Sequence, residues 1–551
     1  MYKVKLALLC LSVFGYSQGV AAHSNTSEYN RYVNFNWGEC PGSFATPDKR
    51  NLCSFAKVPV NWDKPNDKQI DILVSKYPAK SNQPKGQIWF LQGGPGYSAS
   101  FYAQHYDTTL SQYTQDYDLY ILEHRGVGWS THLECPNKPD GDYQQYQQSC
   151  YDALHQKWGD DLFHFNTTGA AQDLAYSIDK SRATNWLPSY VYGASYGTLW
   201  AQRFTQVAPQ GAQAIILDSI VPSKGFSLDL WDENFNYIFS GLAEYCNADP
   251  LCQSKLGNDS EHTIKTLLNK VYSNSHCPQT KFNQDSLQAL STLLMMRSIE
   301  GALMPAYYRL ARCNSDDVIA LNNLHQFIFE GTGRQLLELQ PKPKNDYSQV
   351  LSSLIVHNEI SQEHRSLEAR LNYCKDAVSC IPKALLYSRY IQKAVWGDKY
   401  RSQFTYTDVH HYIPTLMLNG DLDPQTPHSY AYDFMRTFTN VNQRYIEFPQ
   451  TPHAVIFESP ADTNTGNNCG VDVMQSFLNN IWQQPNTDCI AKLHGLNFNL
   501  PAFESTLLFG TENAYDGSAQ VMTLDSLKRL RDTHPEKFSA ARDTLMRVSD
   551  F

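Results

Sequence analysis

The sequence predicts an α/β fold: a mostly parallel sheet with helices on both faces, carrying a mainly helical cap insertion. Three observations predict it. Short apolar strands alternate with helical segments between residues 71 and 221. The alternation stops from 222 to 400, then resumes with "IPTLMLNGDLD" (413–423) and "RYIEFP" (444–449). The run "YDLYILEHRG" (117–126) is nearly all apolar at its start, as in a strand buried on both faces.

The N-terminus reads as a secretory signal over residues 1–22. Lys3 and Lys5 supply the positive start, "LALLCLSVFG" an apolar core of about ten residues, and Val20-Ala21-Ala22 the small residues for cleavage before His23. The apolar run is too short to span a bilayer. Of 13 cysteines, Cys10 leaves with the signal. The rest fall in near couples: Cys40 and Cys53, Cys135 and Cys150, Cys246 and Cys252, Cys277 and Cys313, Cys374 and Cys380, Cys469 and Cys489. An even set in an exported chain implies disulfides, and neighbour pairing is expected, although sequence alone does not give connectivity. No Cys-x-x-Cys spacing supports a metal site. The expected location is therefore periplasmic or secreted, with no stable membrane insertion.

The first part of the core is expected over 23–221. It holds strands at 71–77, 87–92, 117–126, 189–195 and 214–221, with helices at 167–182 and 196–209. The cap insertion covers 222–400, its clearest stretch being "SLQALSTLLMMRSIEGALMPAYYRLARC" (286–313). The second part of the core covers 401–500, and a helical extension covers 501–551. In that extension Phe538, Ala541, Leu545 and Val548 recur at helical spacing, the pattern of a packed face. The net charge of −10, without a long Lys/Arg run, argues against a nucleic-acid partner, because binding phosphates needs clustered cations.

The chemistry centres on Gly193-Ala194-Ser195-Tyr196-Gly197, between a strand and a helix. In that context a G-x-S-x-G pentad holds a serine in a strained turn as a nucleophile. A serine hydroxyl needs a base, and the base an acid, in the order Ser, Asp, His. Asp423 follows a buried strand, with Asp421 as its rival; His453 follows the last strand on a loop, with His410, His411 and His428 less well placed. An oxyanion hole is expected from the Tyr196 N–H and from Gly93 or Gly94, in the loop after strand 87–92.

Together these motifs resemble the α/β-hydrolase fold and, within it, serine exopeptidases of the proline iminopeptidase and secreted tripeptidyl aminopeptidase family. The residues that carry the resemblance are Gln92-Gly93-Gly94-Pro95-Gly96, Glu123-His124-Arg125-Gly126-Val127-Gly128-Trp129-Ser130, the serine pentad, Gly420-Asp421-Leu422-Asp423-Pro424-Gln425-Thr426-Pro427 and His453. Two departures bear on substrate preference: Gln92 stands for the family's histidine, and Glu123-His124 for its Asp-Gln. The resemblance implies acyl transfer to Ser195 on a peptide substrate, with neither metal nor organic cofactor. It also implies an acidic group in the cap holding the substrate amine, for which Glu359 and Glu300 are available. An esterase or lipase on the same scaffold, and a non-catalytic binding relative, are the alternatives.

Overall fold

The computed structural model describes residues 35–46, 49–136, 142–184, 186–339, 346–362, 365–438 and 441–549. The expected signal segment, with Cys10, lies outside the described residues. Among those residues a single sheet has eight strands: β1 (Leu52–Pro59), β2 (Gln69–Tyr77), β3 (Gly86–Leu91), β4 (Tyr117–Leu122), β5 (Ser189–Ala194), β6 (Ala214–Asp218), β7 (Thr415–Gly420) and β8 (Gln443–Phe448). Their order is β1-β2-β4-β3-β5-β6-β7-β8. β1 and β2 pair antiparallel, β2 and β4 pair antiparallel, and every later pair is parallel.

Burial explains which strands sit in the middle. Every residue of β3, β4, β5, β6 and β7 is buried, so each strand is covered on both faces. β1 has no counterpart in the sequence expectation. It is the edge strand, and exposed Leu52 and Phe55 break the apolar alternation that marks a strand. The core helices include α1 (Thr167–Thr184) and α2 (Tyr196–Val207), which leaves β5 directly.

No strand occurs between β6 and β7 among the described residues. That stretch is helical and includes α3 (Trp231–Ala248), α4 (Glu300–Arg312) and α5 (Lys383–Trp396). After β8 come α6 (Val455–Glu458), α7 (Cys469–Asn479) and, near the end of the chain, α8 (Pro535–Ser549). The residues of α8 that sequence spacing singled out, Phe538, Ala541, Leu545 and Val548, are all buried. They share one hydrophobic cluster with Phe235 and Phe239 of α3 and Leu303 of α4. Residues of α8 thus pack into the helical stretch between β6 and β7. Arg547 of α8 also pairs with Glu458 of α6 at 2.7 Å, linking this extension to the segment just after His453.

The twelve cysteines of the described residues form six disulfides: Cys40–Cys53, Cys135–Cys150, Cys246–Cys252, Cys277–Cys313, Cys374–Cys380 and Cys469–Cys489. Three of the six staple the cap, where local helices lack a sheet to register them. No helix among the described residues is long and apolar enough to cross a membrane.

Candidate active site

β5 ends where the pentad begins, and Ser195 takes φ 56° and ψ −127°. A positive φ on a residue with a side chain costs about 1–3 kcal/mol and persists only where its surroundings impose it. Three glycines impose it here by close approach. A Cβ on Gly193 would lie 2.1 Å from the Gly197 carbonyl oxygen, and one on Gly197 would lie 2.2 Å from that of Leu91. A Cβ on Gly93 would lie 2.8 Å from the Ser195 Cβ. The turn therefore presses against the loop after β3. The Ser195 N–H donates to the Asp218 carbonyl at 2.9 Å, and its own carbonyl accepts the Thr198 N–H at 2.8 Å.

Asp423 follows β7 and is completely buried. Its Oδ1 accepts the N–H groups of Gln425 and Thr426, both at 2.9 Å. Its Oδ2 accepts the Thr426 hydroxyl at 2.6 Å and the His453 Nδ1–H at 2.8 Å. The structure thus brings Asp423 and His453 together. Asp421 faces away, accepting the Tyr245 hydroxyl of α3 at 2.5 Å. The other histidines have different neighbours: His428 meets Tyr237, and His411 meets Gln443.

The loop after β3 separates the two glycines proposed for the oxyanion. The Gly93 N–H donates to the Oε1 of Gln92 at 2.8 Å. Gly93 is therefore corrected as a free donor in this conformation, because the Gln92 side chain occupies it. No acceptor among the described residues meets the Gly94 N–H. The Tyr196 N–H is the first of α2, one of the amides a helix leaves without an internal partner.

Residues 88–250 match the family described as alpha/beta hydrolase fold. With the eight-stranded order of the sheet, that match decides the fold. The chain carries the α/β-hydrolase fold. This α/β-hydrolase is 26% identical over 291 residues to the serine protease Hip1 of Mycobacterium tuberculosis (strain ATCC 25618 / H37Rv), covering 47% of the chain and 54% of that protein. It is 24% identical over 216 residues to the tripeptidyl aminopeptidase of Streptomyces lividans, covering 34% and 38%. It is 24% identical over 278 residues to the putative hydrolase YuaR of Escherichia coli (strain K12), covering 45% and 53%. The chain spans about half the length of these relatives or less.

Several residues of the candidate site escaped the sequence reading. The chief one is Asp218, at the end of β6. Its buried carboxylate accepts the Val455 N–H at 2.8 Å, the Ile456 N–H at 3.0 Å and the Tyr192 hydroxyl at 2.8 Å. The Ser219 hydroxyl oxygen accepts the Ala454 N–H at 2.7 Å. Asp218 and Ser219 thus anchor the backbone just after His453, while the Asp218 carbonyl anchors Ser195. Burial raises the Asp218 pKa, opposed by the hydrogen bonds it accepts. Nothing in "AIILDSIV" distinguished this aspartate from a strand-ending turn residue.

Glu359 is the clearest correction. It is buried, and its Oε2 pairs with Arg203 of α2 at 3.2 Å. Its Oε1 accepts the Thr167 N–H at 3.0 Å and the Tyr400 hydroxyl at 2.9 Å. Both of its oxygens are engaged within the protein and its charge is already balanced by Arg203, which speaks against its holding a substrate amine. Glu300 is likewise committed. It is buried at the start of α4, its Oε1 accepts the Asn497 N–H at 2.8 Å, and burial pushes its carboxyl up to about 7.

Burial disfavours the charged form of His453, but the charge and hydrogen bond of Asp423 outweigh it, so the imidazole pKa stands above its ordinary value. A histidine that is to act as a general base must be neutral. The kcat/KM of the free enzyme is therefore expected to fall as pH drops through a midpoint above the usual value of about 6.5. Asp423→Asn is expected to move that limb to lower pH, alongside its loss of rate; a pH–rate profile checks both.

Glu123 supports the loop after β3. Its Oε2 accepts the Ala99 N–H at 2.9 Å, and a Cβ on Gly128 would lie 1.3 Å from its Oε1. Burial, only partly opposed by hydrogen bonds from Ser98 and Ala99, pushes its carboxyl up to about 8. A folded pKa above the unfolded one gives stability that is complete below about pH 4 and is lost as pH rises through about 8. The melting temperature is expected to fall less between pH 6 and 9 for Glu123→Gln than for the unaltered protein, as calorimetry at each pH would show.

Proposed function

We propose that the chain is an exported serine hydrolase that cleaves peptides near a free amino terminus through Ser195, His453 and Asp423. The observation that carries the reading is the buried Asp423 bonded to His453, on a loop anchored by the same Asp218–Ser219 corner that anchors the strained Ser195. His453 takes the Ser195 proton as the hydroxyl attacks the substrate carbonyl, and Asp423 holds the imidazole tautomer with its Nδ1 protonated. The Tyr196 and Gly94 N–H groups stabilise the oxyanion. His453 returns the proton to the leaving amine, and water then clears the acyl-enzyme. The relatives named tripeptidyl aminopeptidase and serine protease favour peptide substrates. A signal over residues 1–22 and the six disulfides favour an oxidising compartment outside the cytoplasm. Residues 222–400 form the cap insertion of this reading, with the segment after 500 completing it.

A panel of aminoacyl, tripeptidyl and fatty-acyl chromogenic substrates, with free and blocked amino termini, tests the proposal. Preferential turnover of free-amino peptidyl substrates is expected. Ester-only turnover that ignores the amino terminus would replace the peptidase reading with an esterase one.

A further inference from the structure

The helical segment between β6 and β7 holds an arginine with a buried donor that meets no acceptor. Arg389 lies in α5, and its Nη1 is buried without a hydrogen-bond partner. The guanidinium sits over the ring of Trp231 at 5.6 Å from its centroid, and the Trp231 Nε1 is also buried without a partner. A buried donor left unsatisfied is costly, the more so when it is charged. Two such donors on residues in ring contact call for an acceptor.

The neighbouring acids are engaged elsewhere. Asp232 pairs with Arg370 at 3.0 Å and accepts the Ile381 N–H at 2.9 Å. Asp229 lies 3.7 Å from both Arg370 and Lys393, and Glu233 pairs with Arg365. Arg370, Lys393 and Arg389 thus face Asp229 and Asp232 with one cation in excess; burial and Arg370 lower the Arg389 pKa, and Asp232 and Asp229 only partly oppose them. A single further carboxylate would balance the cluster.

This cluster adjoins the loop that carries Gly93 and Gly94. The Tyr143 hydroxyl oxygen accepts the side-chain amides of Gln392 in α5, at 2.7 Å, and of Gln349, at 3.2 Å, which places α5 beside the segment that carries Tyr347. Tyr347 bridges Tyr97 in antiparallel fashion, with the two rings 4.8 Å apart. The Ser98 N–H donates to the Asp346 carbonyl and the Ser348 N–H to the Gly96 carbonyl, both at 2.8 Å. Tyr97 is 50% exposed and Tyr347 40%, so solvent reaches this edge of the loop.

We infer that Arg389, with the Trp231 indole N–H, forms a subsite for a substrate carboxylate beside the oxyanion loop. The inference rests on the peptidase reading. The guanidinium fork suits a carboxylate, and a short peptide offers one at its C-terminus or on an Asp or Glu side chain.

The test compares tetra-alanine as free acid and as C-terminal amide, and amide-capped tetrapeptides with Glu or Gln at the third or fourth position. Wild type is expected to prefer the carboxylate-bearing member by about tenfold or more in kcat/KM, the scale of one charge-assisted hydrogen bond. Arg389→Gln is expected to bring that ratio near one, mainly through KM, and Arg389→Lys to keep part of it. A preference for the free acid assigns the subsite to the peptide C-terminus; a preference for Glu over Gln assigns it to an acidic side chain. Peptide turnover without any carboxylate preference, or a preference that survives Arg389→Gln, overturns the subsite and leaves the peptidase reading standing. Absence of peptide turnover overturns the peptidase reading. Calorimetric titration of Ser195→Ala with the tetra-alanine acid and amide then decides the subsite, which fails if Arg389→Gln leaves the two affinities unchanged.

Discussion

Ser195→Ala is expected to lower kcat by roughly 10⁴- to 10⁶-fold, with the fold intact. The substitution keeps the Cβ that packs against Gly93 and removes only the hydroxyl oxygen. The bonds that hold the turn, from the Ser195 N–H to Asp218 and from Thr198 to the Ser195 carbonyl, are backbone features at residue 195 and survive. Residual activity would come from the oxyanion donors and from binding. His453→Ala should cost about as much, and the double variant little more than either single one, because the residues act as a unit. Steady-state kinetics beside circular dichroism checks this.

Glu359→Ala is expected to destabilise the protein by about 3–5 kcal/mol, the cost of breaking a buried ion pair from one side. Arg203 would keep its bonds to Thr168, Ser402 and the Phe404 carbonyl but lose the charge that balances it in a buried site. The Thr167 N–H at the start of α1 and the Tyr400 hydroxyl would lose their acceptor as well. Glu359→Gln retains an acceptor for both and is expected to cost less. Urea denaturation reads the ranking directly. A substrate-amine role predicts a different outcome: normal stability, with a raised KM confined to free-amino substrates.

The parts of the candidate site that were legible in the sequence are those whose chemistry leaves a local mark. Ser195 sits in a five-residue pattern whose two glycines are demanded by backbone contacts, and Asp423 and His453 each follow an apolar run that becomes a strand. The parts it hid depend on contacts between distant positions. Asp218 reads as a turn residue until Val455 and Ile456 are placed on it. Glu359 reads as available until Arg203 appears beside it. The choice between Gly93 and Gly94 turns on where the Gln92 side chain points. The 501–551 segment reads as an extension because its partners lie some two hundred residues earlier, in the cap.

The central claim is that Ser195 is the nucleophile of an acyl-transfer site. A fluorophosphonate reagent followed by intact mass and peptide mapping tests it most directly. A single adduct on Ser195, formed as activity disappears and lost in both Ser195→Ala and His453→Ala, is the predicted result. Full activity with no adduct, or an adduct on another serine that tracks the loss of activity, would contradict it.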